Sequence, residues 1–551
     1  MLPIPTRTAV AVFFAVLVCL VVGALAGSLA ATVVGATGMI GLAAALAATM
    51  PVGRRVRRQR LEFAWWLGHG DPGAGGGAVV PGAPFDVRCF MRHRGTEPLL
   101  LASLEPIVPG GATRVDDEAD SLALAASART EFTFRFVAPA VGRVVLHGLA
   151  VTLHGPLGLF AVPLYFPNPL VIKVLPQAAA RMPTQARVMP GLPVERSGAA
   201  LLAPHGGGTE LRELREMRPG DPFKSIAWKP SARRGKLLVR EVDQEVQETR
   251  YVVLDVSGTM RGGEPGRRKL DHAIEAVAAE ARRTLASGDR FGVITVDGRV
   301  LAHVAPRDGA AHVLRVFDAL LAATEVVDQD LTDVDDDEVC AIVGRYVRQQ
   351  DGVDFSVAPS GRPGSGAWNV SLLVRHVGKA LAAEEAKEEP VVASSPATAM
   401  LRRFCRVRGI PLPYRPDPRD GSKGPGLAAS LRELVQKSLG PMSITVITDL
   451  DGLGDPAPLV AAVKLLRLHG HDVTFVVPDG PSFASAPRTP LEKDLFEVYA
   501  RGERRRAEEM RVLLAPMGIS LTIAAASDAP AMLLWKATNR RGGRARVAVG
   551  A

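Results

Sequence analysis

The chain has 551 residues, 47% apolar and 22% charged, which places it among globular proteins with several domains and excludes a disordered one. Its net charge is +9, but the basic residues are scattered and aromatics make up only 5%, which excludes the basic, aromatic-lined face of a nucleic-acid binder. Four cysteines, Cys19, Cys89, Cys340 and Cys405, form no CxxC pair, so neither a zinc site nor a disulfide framework is expected.

Residues 9–26 and 29–50 carry no charge and are separated only by Gly27 and Ser28. Each is close to the roughly 17–25 residues a helix needs to cross hydrocarbon. The run RRVRRQR at 54–60 follows them, whereas Arg7 stands alone ahead of them. The positive-inside rule then predicts a two-span transmembrane hairpin over residues 1–53, in the inner membrane, with both ends and the soluble domains cytoplasmic. A cleaved signal peptide is the competing reading, with Arg7 as its basic end and ALAGSLA as its small-residue zone. The second apolar run and the arginines after it speak against cleavage.

Residues 54–84 read as a basic and Gly/Pro linker. Short alternating runs follow: FDVRCFMRH (85–93), TEFTFRFVA (130–138), GRVVLHGLAVTLH (142–154) and PLVIKVLP (169–176). Period-two alternation bounded by Gly and Pro predicts a β-sandwich over 85–176. His93, His147 and His154 read there as packing or surface residues. Residues 177–249 form a connector. Its HGGG (205–208) lacks the GK[ST] and the preceding strand of a phosphate loop. RPGD (218–221) is a turn, and Trp228 among Lys224, Lys229, Arg233 and Arg234 fits a domain junction better than an anion site.

From 250 to 541 strands alternate with helices, ahead of a tail at 542–551. YVVLDV, FGVITV (291–296), SITVITDL (443–450), DVTFVVP (472–478) and ISLTIAA (519–525) are strands. Helices are expected from near Gly266 to Gly288, and at 309–323, 427–439, 490–515 and 528–539, with another opened by Asp455 and Pro456. Apolar strands alternating with helices mean a parallel sheet covered on both faces. Ligands of such sheets collect beyond the carboxyl ends of the strands, at the switch in strand order. Asp255 and Asp449 stand at two such ends, and Ser257 and Thr259 follow Asp255. Two readings stay open. The oxygens hold Mg²⁺, or Asp255, Ser257 and Thr259 merely cap the turn and the helix after it.

D-x-S-x-T after a buried strand, with T-D-L after a later one, resembles the metal-ion-dependent adhesion site of the von Willebrand factor A domain. PLGLF (156–160), RPGDPFKSIAWKPSARRGKLLVRE (218–241) and LDVSGTM (254–260), in that order, resemble the domain of unknown function fifty-eight family. That resemblance implies a multidomain chain: a transmembrane hairpin, a β-sandwich, then an α/β von Willebrand factor A-like doubly wound sheet. It also implies metal ligands at Asp255, Ser257, Thr259 and Asp449, and a MoxR-type AAA+ ATPase as protein partner. Three positions depart from the family pattern. Lys224 and Ala227 stand where it has arginine and aspartate, and Pro425 stands where the metal-site threonine is expected. Thr324 and Ser422 are outside candidates for that threonine. Residues 325–425 read as an insertion, a mobile surface excursion whose acidic run DQDLTDVDDDEV lacks the spacing of a calcium loop.

The expectation is a membrane-anchored, cytoplasm-facing protein-binding or adaptor module, not an enzyme, with Mg²⁺ as an uncertain cofactor and no catalytic residue. The alternatives are a structural membrane protein with a vestigial metal site, and a metal-dependent hydrolase. The last would need a base or nucleophile beside the carboxylates; no histidine or cysteine lies close to Asp255 or Asp449 in sequence, though His272 and His303 are within the domain.

Overall fold

The computed structural model describes residues 3–58, 61–68, 79–92, 99–108, 111–115, 122–124, 129–180, 210–218, 221, 223, 226–243, 247–357, 367–383, 390–415, 423–437, 440–530 and 533–534. They fall into two compact units. One comprises residues 1–184, 264–267 and 324–417; the other comprises 185–263, 268–323 and 418–551.

The first unit begins with β1 (Ile4–Pro5), then helices α1 (Arg7–Ala26) and α2 (Leu29–Arg58). Both helices are long and apolar enough to cross a membrane. Thr6 caps α1, its Oγ1 accepting from Ala9 N at 3.3 Å, and Gly27, left-handed at φ 62°, ends it. Glycines let the two backbones approach closely. A Cβ on Gly38 would lie 2.5 Å from Val16 Cγ2, and one on Gly35 would lie 2.6 Å from Leu20 Cγ. Small residues at such contacts are what helix pairs in lipid rely on.

Eight strands follow: β2 (Glu62–Leu67), β3 (Pro84–Arg92), β4 (Leu99–Ile107), β5 (Thr113–Arg114), β6 (Leu122–Leu124), β7 (Arg129–Val137), β8 (Gly142–His154) and β9 (Phe160–Val174); the short helix α3 (Gln177–Ala180) comes next. They form two antiparallel sheets, β1-β9-β8-β4-β6 and β2-β3-β7-β5. Alternate residues of β3, namely Phe85, Val87, Cys89 and Met91, join Leu104, Phe134, Phe136, Leu146, Leu149 and Val151 in one core. β2 lies in the stretch read as a linker. Pairing through Trp65↔Cys89 makes it a strand, and Trp65 Nε1 donates to Asn168 O at 2.8 Å. His93 lies outside the described residues.

The second unit opens with the ribbon β10 (Glu210–Glu216) and β11 (Leu238–Asp243), with α4 (Trp228–Arg234) between them. Arg218 N donates to Asp221 Oδ2 at 2.7 Å, as a turn requires. Trp228 is 63% exposed and so is not wedged within its unit. HGGG and Lys224 lie outside the described residues. Then come β12 (Thr249–Asp255), α5 (Lys269–Ala286), β13 (Arg290–Val296), β14 (Val300–Arg307) and α6 (Ala310–Thr324).

The chain next returns to the first unit. It forms α7 (Asp336–Gln350), a two-residue pair β15 (Ser356–Val357) and β16 (Ala367–Trp368), α8 (Val370–Ala383) and α9 (Pro396–Arg408). Residues read from sequence as a loose excursion therefore have a core of their own. Val339, Val343 and Val347 of α7 pack with Leu373, Val377 and Leu381 of α8 and with Leu401, Phe404 and Cys405 of α9. Arg402 is fully buried and donates to the carbonyls of Val327 and Val334 at 3.1 and 2.8 Å.

These helices meet the sandwich at His147, whose Nδ1 pairs with the Tyr346 hydroxyl while Tyr165 Oη donates to its carbonyl at 3.0 Å. Burial, and then the positive charge of Arg408, bring the pKa of His147 down to about 4. Its unfolded value is about 6.5, so between these two values the unfolded chain binds the extra proton. That contribution to stability is whole above pH ~6.5 and fades as pH falls toward the folded value. Acid titration of the folded chain should lose up to about 3 kcal/mol over this window. Denaturant melts of His147→Asn should show a flatter dependence there.

The last stretch supplies α10 (Lys423–Lys437), β17 (Ser443–Ile447), α11 (Ala457–Leu468), β18 (Asp472–Pro478), α12 (Gly480–Phe483), α13 (Pro490–Leu514) and β19 (Ser520–Ala524). The sheet runs β14-β13-β12-β17-β18-β19, with β14 alone antiparallel. α5 packs on β12 and β13, α10 on β12 to β14, α11 on β18 and α13 on β19. The chain enters at β12 in the middle, builds outward to β14, and then crosses back to β17. The order therefore reverses between β12 and β17. Of the helix expected at 528–539, Asp528, Ala529, Pro530, Leu533 and Leu534 are described; the first two are not helical and the other three are.

Candidate functional site

The switch point brings the two distant acidic residues together. Leu254 of β12 lies opposite Ile447 of β17, so Asp255 and Asp449 leave neighbouring parallel strands at one level. Both are fully buried. Ser257 N donates to Asp255 Oδ1 at 2.9 Å and closes the turn. Thr259 Oγ1 donates to Asp449 Oδ1 at 2.7 Å and lies 3.1 Å from Ser257 Oγ. All four residues picked from the sequence therefore converge. Arg261 braces the loop, its Nε donating to Val256 O at 2.9 Å.

Three further residues join the cluster. Lys423, in the first turn of α10 and fully buried, places Nζ 3.1 Å from Asp255 Oδ2, 2.7 Å from Asp449 O and 3.2 Å from Thr259 Oγ1. It also pairs directly with Asp449 Oδ1. Lys269, at the start of α5, donates to Asp449 Oδ2 at 2.8 Å. Thr448 Oγ1 lies 2.6 Å from Asp255 Oδ2 and 2.7 Å from Asp449 O. Two carboxylates and two ammonium groups leave the cluster neutral, as a buried charge cluster must nearly be.

The electrostatics follow from this pairing. Burial alone would push the Lys423 pKa down, but Asp255 and then Asp449 reverse it and leave it raised. Burial would raise Asp449, but the Lys423 and Lys269 ammonium groups hold it below the usual carboxylate range. Ordinarily a lysine opposes the positive pole of a helix N-terminus; here the two carboxylates offset that repulsion.

An ammonium group has three donors, and Lys423 Nζ faces four acceptors. No donor is left for a ligand. Mg²⁺ needs oxygens at about 2.0–2.1 Å and keeps several waters. The space bounded by Asp255, Thr259 and Asp449 already holds the lysine head. The residues do not fit a divalent cation added to Lys423. Among the described residues no group of three or more His, Cys, Asp or Glu side chains could hold a metal ion.

Pro425 follows Lys423 within α10 and brings no hydroxyl. Ser422 lies outside the described residues, and Thr324 belongs to the other unit. Neither His272 nor His303 serves the carboxylates: His272 Nε2 pairs with Asp528 O at 2.8 Å, and His303 lies between Tyr251 and Glu433.

The fold and the site define a class: an α/β unit with a mixed sheet and paired acidic strand ends, joined in one chain to an antiparallel sandwich and an apolar helical hairpin. Residues 213–345, which include the Asp255 loop, match the family model described as "Protein of unknown function DUF58". Uncharacterized proteins of Mycobacterium tuberculosis and Mycobacterium bovis are 29% identical over 107 residues, which cover 19% of this chain and 34% of each relative. The chain thus spans about a third of the length of these relatives. Among solved structures, part of an Escherichia coli alpha-2-macroglobulin covers 21% of the chain at 14% identity, with a TM-score of 0.16, over 16% of its own length.

Proposed function

We propose that the chain is a membrane-anchored, cytoplasm-facing protein-binding or adaptor module without catalytic activity, working with a MoxR-type AAA+ ATPase. One observation carries the non-catalytic part. The cluster that the sequence offers for chemistry is buried and neutralised, with both carboxylates engaged by lysines. A general acid, base or nucleophile has to reach its substrate, and both carboxylates are taken up by the lysine ammonium groups. The strand order, with its reversal beside Asp255 and Asp449, supports a von Willebrand factor A-like domain.

The anchor rests on the two apolar helices and the arginines after them. β1 pairs with β9 ahead of α1, and β2 follows α2 into the same sandwich. Both ends of a membrane-crossing hairpin would then face the same side, the side the arginines favour. The ATPase partner is implied by the family resemblance.

Affinity capture of the full chain from detergent-solubilised membranes, in EDTA, tests the reading. An AAA+ ATPase should be enriched over an unrelated membrane bait. Capture of no ATPase would favour the second reading, a structural membrane protein with a vestigial metal loop, which Pro425 and Lys423 support.

A further inference from the structure

We propose that Lys423 is a built-in substitute for the metal ion, so that the Asp255–Asp449 site works without any divalent cation. The side chain reaches in from α10 and sets one positive charge where both carboxylates, Thr259 and the Asp449 carbonyl converge. Lys269 supplies the second positive charge from the other side, at Asp449 Oδ2. The two charges that Mg²⁺ would deliver thus come from the polypeptide itself.

The approach of α10 is built for this role. A Cβ on Gly424 would lie 2.5 Å from Leu453 O, and one on Gly426 would lie 2.1 Å from Asp297 O. Only residues without side chains let the first turn sit so deep against the sheet. Pro425 between them brings no ligand and needs none, since the cation is covalently attached two positions earlier. A resident metal leaves a coordination position open to an incoming carboxylate; Lys423 leaves none. The cluster therefore acts as a strut joining β12, β17, α5 and α10, and a partner must be recognised elsewhere on the surface.

The inference stands apart from the partner reading, because it concerns metal alone. The test is a thermal-shift and calorimetric titration of the full chain in detergent with MgCl₂ and MnCl₂ against EDTA. The natural protein should show neither heat nor a shift. Lys423→Ala removes the tethered charge and opens the pocket. It should melt lower in EDTA and regain about 5 °C when Mn²⁺ is present at about a hundred times its Kd. Asp255→Asn added to Lys423→Ala should abolish that gain. A cation-dependent shift in the natural protein that Asp255→Asn abolishes would overturn the proposal. So would a Lys423→Ala variant that folds in EDTA yet ignores both metals. If Lys423→Ala does not fold, the titration of the natural protein decides alone.

Discussion

Lys423→Met is expected to destabilise the α/β unit by about 3–5 kcal/mol, the usual consequence of removing one partner from a buried ion pair. Methionine keeps most of the length and apolar stem but leaves two buried carboxylates facing each other with Lys269 alone to answer them. In urea, the midpoint should fall with the slope unchanged, since the same surface is exposed on unfolding. Adding Asp255→Asn should recover part of the loss, because the second change removes the charge that the first left unpaired. The two changes would then be strongly non-additive, by 1 kcal/mol or more in a double-mutant cycle. Additive losses would mean that the ammonium and the carboxylate do not depend on each other.

Gly426→Ala should cost about 3 kcal/mol, at the upper end for overpacking. Helix propensity alone predicts the opposite sign, since alanine in a helix interior is favoured over glycine by roughly 0.5–1 kcal/mol. The added methyl would lie 2.1 Å from Asp297 O and 2.8 and 2.9 Å from the Gly298 backbone. None of these atoms is the end of a flexible side chain, so the helix has to retreat and take Lys423 with it. Gly502, inside α13, is the control: a Cβ there meets nothing within 4 Å. Gly502→Ala should stabilise by about 0.5–1 kcal/mol. Chemical denaturation of the two variants side by side would show opposite signs.

Much of the framework was legible. The apolar strands, the helix at 490–515 and the meeting of Asp255 with Asp449 follow from periodicity and from the rule that sites gather where strand order reverses. The group that fills the site was not. The leucines of α10 begin its apolar pattern at Leu427, where the expected helix starts; the helix itself begins at Lys423 and runs through Gly424, Pro425 and Gly426. Those small residues are there because the helix lies against backbone, a tertiary constraint with no period to detect. Lys269 and Thr448 were hidden for a similar reason: each sits beside a recognisable element end, and only the folded register shows where it reaches. In the insertion, Val339, Val343 and Val347 recur at helical spacing, as do Leu373, Val377 and Leu381. The acidic and polar stretches around them outweighed that signal. β2 was lost to the Gly/Pro-rich residues after it, though EFAWWL carries the aromatics of a strand.

The pairing of Ile4 and Pro5 with Phe160 and Ala161 has a bearing on biogenesis. Ile4 and Pro5 must wait, uncovered, for a partner strand that is made only at Phe160 and Ala161. They must also stay on its side of any bilayer throughout, so the two helices would have to enter as a folded-back loop. An exchanged anchor or a bulky amino-terminal tag would thus strip a border from the sheet as well as altering the attachment.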